Sequence, residues 1–312
     1  MTRAVAGRAP ATLLLVLVTA LVAACGGADD AGDGDGPDGG GLADGGPPSD
    51  DAAPPCAVPD VAGTDAYLAR IAGHLAAAPR ASSSARAATR TYLADELTAL
   101  GLVTTIDGYG QGANVVARLP PTTAATDWIL VGAHFDTVAG SPGADDNATG
   151  VAAALAVARA LATQPCRAHG LIVAAFDQEE QGLVGSTALA GQLAAAGTAL
   201  VAVHTIDQAG WDRDGDRRFE IEQPTAALWS EYQAAAATVG VAVTRTTTGS
   251  TDHVAFRERG FAAAGVTEEF VGGDTTPHYH TAGDTLATID LAYTAHAVHL
   301  ITTVIGRELG AR

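Results

Sequence analysis

The 312-residue sequence contains no lysine. Every fixed positive charge is therefore an arginine, and 17 basic residues face 35 acidic ones, for a formal net charge of −18. A chain so acidic lacks the electrostatic footprint of nucleic-acid binding, and no nucleic-acid partner is expected. Cysteine is scarce, at three residues. No internal repeat is present, which argues against repeat architectures. The early apolar run, residues 13–22, is too short to cross a bilayer comfortably, a span that takes roughly 20 residues.

That run belongs to a segment, residues 1–24, with the pattern of a secretory signal: Arg3 and Arg8 make a positive start and small residues follow the apolar core. Small residues followed at once by Cys25 resemble a bacterial lipobox, in which the cysteine is lipidated and becomes the mature N-terminus. The expected location is the cell envelope, outside the cytoplasm, with membrane attachment only through Cys25. Residues 25–60 are Gly, Asp and Pro-rich, with nine aspartates and no basic residue. Low hydrophobicity with like charges cannot offset chain entropy, so a disordered acidic tether is expected. Residues 61–312 are left as one catalytic-size domain. Setting aside the tether aspartates, Arg3 and Arg8 moves the formal charge from −18 to −11. Beyond Cys25, the pair Cys56 and Cys166 suggests a disulfide in an exported protein.

Within that domain, helices are expected over residues 84–100, 150–163, 183–196, 225–239 and 291–309. Apolar runs at 115–119, 128–133, 170–176, 200–206 and 262–266 are expected as strands. Strands that are apolar throughout and alternate with helices call for an α/β three-layer sandwich, with a mixed, mostly parallel central sheet and helices on both faces. Ligands in such folds sit beyond the carboxyl ends of the strands. Polar residues gather there: His134 and Asp136 after one strand, Asp145 and Asp146 before a helix, Asp177, Glu179 and Glu180 after a second strand, and Asp207 after a third. His278 and His280 lie in a turn-rich segment further on. Single members of this set have ordinary explanations, such as an aspartate capping a helix. A series of imidazoles and carboxylates after successive strands points to a zinc site with one ion or two.

Five blocks then stand in order: H-x-D at His134, G-A-D-D-N-A-T-G at Gly143, E-E-Q-G-L-V-G-S at Glu179, I-D at Ile206, and Y-H-T-x-x-D-T at Tyr279. Together they resemble the di-zinc aminopeptidase family of the bacterial leucyl aminopeptidases, over most of residues 114–286. The resemblance implies two Zn²⁺ per chain, held by His134, Asp146, Glu180, Asp207 and His280, with Asp146 shared. It implies that Asp136 orients His134, that Asp145 stays out of the ligand set, and that a cis peptide follows Asp146. Glu179 matches the general base, which takes a proton from the attacking water and returns it to the leaving amine. Tyr279 matches a tyrosine that stabilises the oxyanion. The substrates implied are peptides with a free N-terminus, and a monomer is expected. Glu268 or Glu269 could help receive the α-amine.

Some positions depart from the family pattern. Gln208-Ala209 stands where a Met-Ile-like pair is common, Thr251 replaces the serine of an S-D-H block, and Ser250 stands where some members carry arginine. Side-chain preference is therefore open, with its pocket expected on loops between residues 211 and 276. A glutaminyl cyclase-like enzyme would use the same scaffold with one zinc, leaving His134 and Asp207 without a role. A lid domain, as in related two-zinc carboxypeptidases, would need more than the 72 residues between Asp207 and His280. A non-catalytic surface receptor would normally have lost ligands or the base, and metal sequestration would not need Glu179.

Overall fold

In the computed structural model of the chain, residues 59–310 are described. The signal and tether, with Cys25 and Cys56, lie outside them, and so does half of the expected Cys56–Cys166 bond.

The described part begins with helices α1 (Thr64–Leu75) and α2 (Ser83–Ala99) and the hairpin β1 (Val103–Tyr109) and β2 (Gly112–Leu119). β3 (Trp128–His134), α3 (Gly150–Ala162), β4 (Gly170–Phe176), α4 (Val184–Ala195) and β5 (Leu200–Ile206) follow. The last part holds β6 (Arg218–Glu222), α5 (Ala226–Val239), β7 (Ala242–Thr246), α6 (His253–Arg257), β8 (Ala263–Thr267) and α7 (Leu291–Glu308). The eight strands form one sheet in the order β1-β2-β4-β3-β5-β8-β6-β7. β4, β3, β5 and β8 run parallel, while β1, β2 and the β8–β6 junction are antiparallel. This is the three-layer α/β arrangement expected.

The layering follows from the two-residue period of a strand. On β4, Leu171, Val173 and Ala175 join the larger core with α1, α2, α3, α5 and α7. The alternate residues Ile172, Ala174 and Phe176 face the smaller core with α4 and α6. Both faces of β4 are covered, so all seven of its residues are buried and the strand reads as one apolar run. Side-chain caps set the helix starts: Ser82 Oγ accepts the Ala85 N–H (3.2 Å), and Asp290 accepts the Ala292 N–H (2.8 Å) ahead of α7.

α1, β1, β6, β7 and α6 were not expected from the sequence. β1 is the exposed edge and lacks a buried face. β6 reads Arg-Phe-Glu-Ile-Glu, and both of its glutamates are buried, so its charges mask a strand whose two faces are covered.

Candidate metal centre

The carboxyl ends of β3, β4 and β5 converge, because these strands are parallel neighbours in the middle of the sheet. His134 is the last residue of β3, and Asp207 follows β5 directly. Glu179 and Glu180 form a tight turn between β4 and α4. Asp146 lies in an irregular helical turn, Ala144–Thr149, that runs into α3, and the Asp146–Asn147 peptide is cis, as the resemblance implied. His280 comes from the long segment between β8 and α7.

Two ligand groups result. His134, Asp146 and Asp207 form one and Asp146, Glu180 and His280 the other, each with ligand atoms within 4.8 Å of one another. Asp146 belongs to both and uses a different oxygen for each: Oδ1 lies 3.3 Å from His134 Nε2, and Oδ2 lies 3.1 Å from His280 Nε2. His134 Nε2 is 3.4 Å from Asp207 Oδ1, and His280 Nε2 is 3.0 Å from Glu180 Oε2. Glu179 stands beside the groups, with Oε2 4.0 Å from His134 Nε2. His134, Asp146 and Asp207 are buried, and Glu180 and His280 are less so.

The charges are out of balance without a cation. Burial raises the carboxyl of Glu180 to about 7 and that of Glu179 to about 9, the latter against the attraction of His134. Burial also raises Asp207. For Asp146, burial is outweighed by the close approach of the His134 and His280 imidazoles, which hold it below the ordinary carboxylate range. For His134, burial is outweighed by Asp207, Glu179, Asp136 and Asp146, which lift it well above the ordinary value. His134 Nε2, Asp207 Oδ1 and Glu180 Oε1 are buried with no hydrogen-bond partner. Buried polar atoms are rarely left unpaired, and three of them on one oxygen-and-imidazole donor set fit divalent zinc.

A second ring of residues holds this geometry. Asp136 faces His134 Nδ1 at 3.5 Å, the outer limit of a hydrogen bond, and accepts the backbone N–H groups of Glu179 (2.9 Å) and Glu180 (3.3 Å). Arg80, buried under the turn from His134 to Asp146, donates to the carbonyls of Leu75 and Phe135 (both 2.6 Å), Pro142 and Gly143 (both 2.8 Å). Burial lowers its guanidinium to about 10, still cationic at neutral pH. Gly143 is needed where it is: its φ is +63°, and a Cβ would lie 2.4 Å from the Asp146 carbonyl. Gln178 (φ 62°), beside Glu179, Gln208 (φ 44°), beside Asp207, and His280 (φ 57°) take left-handed backbone, a sparsely populated conformation for such residues. Arg80 carries no sequence signal. Asp284 is quoted in the Y-H-T-x-x-D-T block, but only its contacts reveal what it does.

Three candidates lie elsewhere. Asp145 is buried beside Thr149 Oγ1 (3.3 Å) and outside both groups. Asp177 pairs with Arg86 and Arg90, each at 2.7 Å, and ties β4 to α2. His278 packs edge-on against Trp211. Neither glutamate considered for the α-amine lines the cleft over the metal groups. Glu268 is buried and accepts from Trp211 N–H (3.0 Å), Thr275 Oγ1 and Thr276 N–H (both 2.8 Å), while Glu269 faces Arg218 at 3.3 Å. Tyr279 does line the cleft, 43% exposed, with its ring stacked on His280 at 3.7 Å between centroids. Besides Asp146, Glu179 and Asp207, the acidic residue lining the cleft is Glu222, which the sequence did not reveal because it sits within a strand.

The class defined by this fold and site is a metallo-hydrolase-like α/β sandwich. The chain belongs to Peptidase family M28, which matches residues 114–305. It is 30% identical to Aminopeptidase YwaD of Bacillus subtilis over 198 residues, covering 60% of this chain and 42% of that protein. The chain thus spans about half the length of the curated relatives it matches, as the 54% covered of a probable leucine aminopeptidase of Trichophyton verrucosum also illustrates. Among solved structures it is similar to BSAP, a zinc aminopeptidase from Bacillus subtilis, with a TM-score of 0.59, 26% identity, and coverage of 64% of this chain and 51% of that one. A glutaminyl cyclase of Porphyromonas gingivalis, at 19% identity and a TM-score of 0.66, shares the fold, covering 81% of this chain and 99% of that one.

Proposed function

We infer that the protein is a zinc-dependent aminopeptidase that binds two zinc ions and removes the N-terminal residue of peptides. The observation that carries this reading is the shared carboxylate: Asp146 turns one oxygen to His134 and the other to His280. His134, Asp146 and Asp207 would hold one ion, and Asp146, Glu180 and His280 the other. Zinc bound there supplies Lewis acidity, which lowers the pKa of a coordinated water to about 7.

The remaining work falls to side chains of the chain. Glu179 stands next to the ligand groups without belonging to either, as a proton acceptor should. It takes a proton from the attacking water and passes it to the leaving amine. Tyr279, at the cleft wall, donates a hydrogen bond to the carbonyl oxygen as negative charge develops there. Asp136 holds the Glu179–Glu180 turn and the His134 ring in register with each other.

Purified protein should bind close to two zinc ions per chain and hydrolyse aminoacyl-anilides. Glu179→Gln should keep the metal and lose about 10²–10⁴-fold in turnover. A fully active Glu179→Gln variant sinks the assignment of the base. A cyclase of the same fold is the rival, and formation of pyroglutamate from N-terminal glutamine in place of amino-acid release would favour it. His134 and Asp207 support hydrolysis, since a one-zinc cyclase would leave them idle. The family, with zinc as its metal, also argues against a purely receptor-like role.

A signal, an acidic tether and a catalytic domain, with lipidation at Cys25, would put the enzyme at the outer side of the cytoplasmic membrane or beyond. Among the described residues no helix is long and apolar enough to cross a membrane. Labelling with a palmitate analogue, lost in Cys25→Ala, tests the anchor.

A further inference from the structure

Beyond the metal groups, the cleft is walled by Gln208, Glu222, Ser250, Thr251 and Thr267, with Phe270 and Tyr279 at the side. Two of these residues come from strands, Glu222 from β6 and Thr267 from β8, and not from loops as expected. An apolar first side chain would have to desolvate this polar wall without pairing it.

Glu222 is the carboxyl member of this wall, and burial raises it to about 8, so that it ionises fully near neutral pH only with a cation beside it. β6 turns Phe219 and Ile221 into the larger core and its glutamates the other way. The two glutamates fare differently. Glu220 accepts backbone N–H groups from Val271 (2.9 Å) and Gly272 (2.7 Å). Glu222 Oε2 accepts from Thr251 Oγ1 (2.8 Å) and faces His253 Nδ1 at 3.4 Å. Burial lowers the His253 imidazole to about 4, so that ring brings no charge. Among the described residues, no hydrogen bond reaches Glu222 Oε1 and no arginine pairs with the carboxylate. The place is shaped for it: Glu222 is opposite Gly265 in the β6–β8 ladder, and a Cβ at 265 would lie 2.7 Å from Glu222 Oε2. Glu222 is 1% exposed, and a buried carboxylate with one free oxygen on a substrate cleft lacks its cation.

We propose that Glu222 makes this cleft a receptor for a cationic first side chain, so that peptides beginning with Lys or Arg are cleaved in preference to those beginning with an apolar residue. The proposal rests on the aminopeptidase reading. The ammonium or guanidinium of the first residue meets Glu222 Oε1, its methylene stem lies along Phe270 and Tyr279, and Gln208, Thr251 and Thr267 keep the surroundings polar.

Lysyl- and norleucyl-p-nitroanilide test it, because their side chains are close in shape and differ chiefly in the terminal ammonium. The zinc-loaded full chain should show the higher kcat/KM on the lysyl substrate. Glu222→Gln, nearly isosteric, should reduce kcat/KM for lysyl by about 10- to 100-fold and leave norleucyl little changed. Equal loss on both substrates would assign Glu222 to the α-amine or to the fold and overturn the proposal. A wild type that cleaves norleucyl as well as lysyl also overturns it, and this ratio decides by itself should the variant not fold. Hydrolysis of norleucyl alone sinks only this proposal, whereas hydrolysis of neither sinks the aminopeptidase reading with it.

Discussion

Asp284 accepts the backbone N–H of Asp146 at 3.1 Å, across 138 residues of sequence. Its other oxygen accepts the N–H of Asp145 at 2.8 Å. One carboxylate thus fixes the backbone from which the shared metal ligand projects. It also ties the segment carrying His280 to the segment carrying Asp146, so the two sides of the second candidate group are joined by these hydrogen bonds.

Asp284→Ala should therefore weaken zinc binding without removing a ligand. The expected loss is about 10- to 100-fold in affinity, the range for residues that orient ligands. Competition with a chelator of known affinity measures it. An unchanged affinity would make the contact incidental.

Asp145 and Asp146 are adjacent and both buried, but only Asp146 faces the imidazoles. Asp146→Ala should bring the bound zinc close to zero, because both groups lose a ligand. Asp145→Asn should keep the metal, since Asp145 belongs to neither group. Metal analysis of the two variants separates the residues, and the reverse result would exchange their roles.

Arg80 bonds four backbone carbonyls with one planar guanidinium. Lysine keeps the charge and loses the fork. Arg80→Lys should cost about 2–4 kcal/mol in urea unfolding, as several charge-assisted bonds are lost together. A variant as stable as wild type would show that other contacts hold the turn between His134 and Asp146.

Metal removal should lower stability. A ligand that binds only the folded state at a hundred times its Kd stabilises it by about 2.7 kcal/mol. Stripped protein should melt below zinc-loaded protein, because the clustered carboxylates of Asp146, Asp207 and Glu180 are then left without a cation between them. Thermal scans with and without chelator check this, and coincident transitions would argue against a buried metal.

The sequence exposed the centre of the fold better than its edges. β4 and β5 have the expected limits, because strands buried on both faces leave continuous apolar runs. β6 was hidden because Glu220 and Glu222 are buried within it, one satisfied by backbone N–H groups and the other facing the cleft. β1 was hidden because its burial is slight.

The sequence by itself determined the layered α/β plan and the residue types of the metal centre, because strand periodicity and ligands at strand ends are local properties of the chain. It also singled out Asp146 over Asp145, through the resemblance of one short block to the family pattern. Only the tertiary structure decided which oxygen of Asp146 faces which histidine, what Asp284 and Arg80 support, and that Glu222 rather than Glu268 or Glu269 reaches the cleft. These depend on contacts between segments far apart in the chain, and on which way a buried side chain turns.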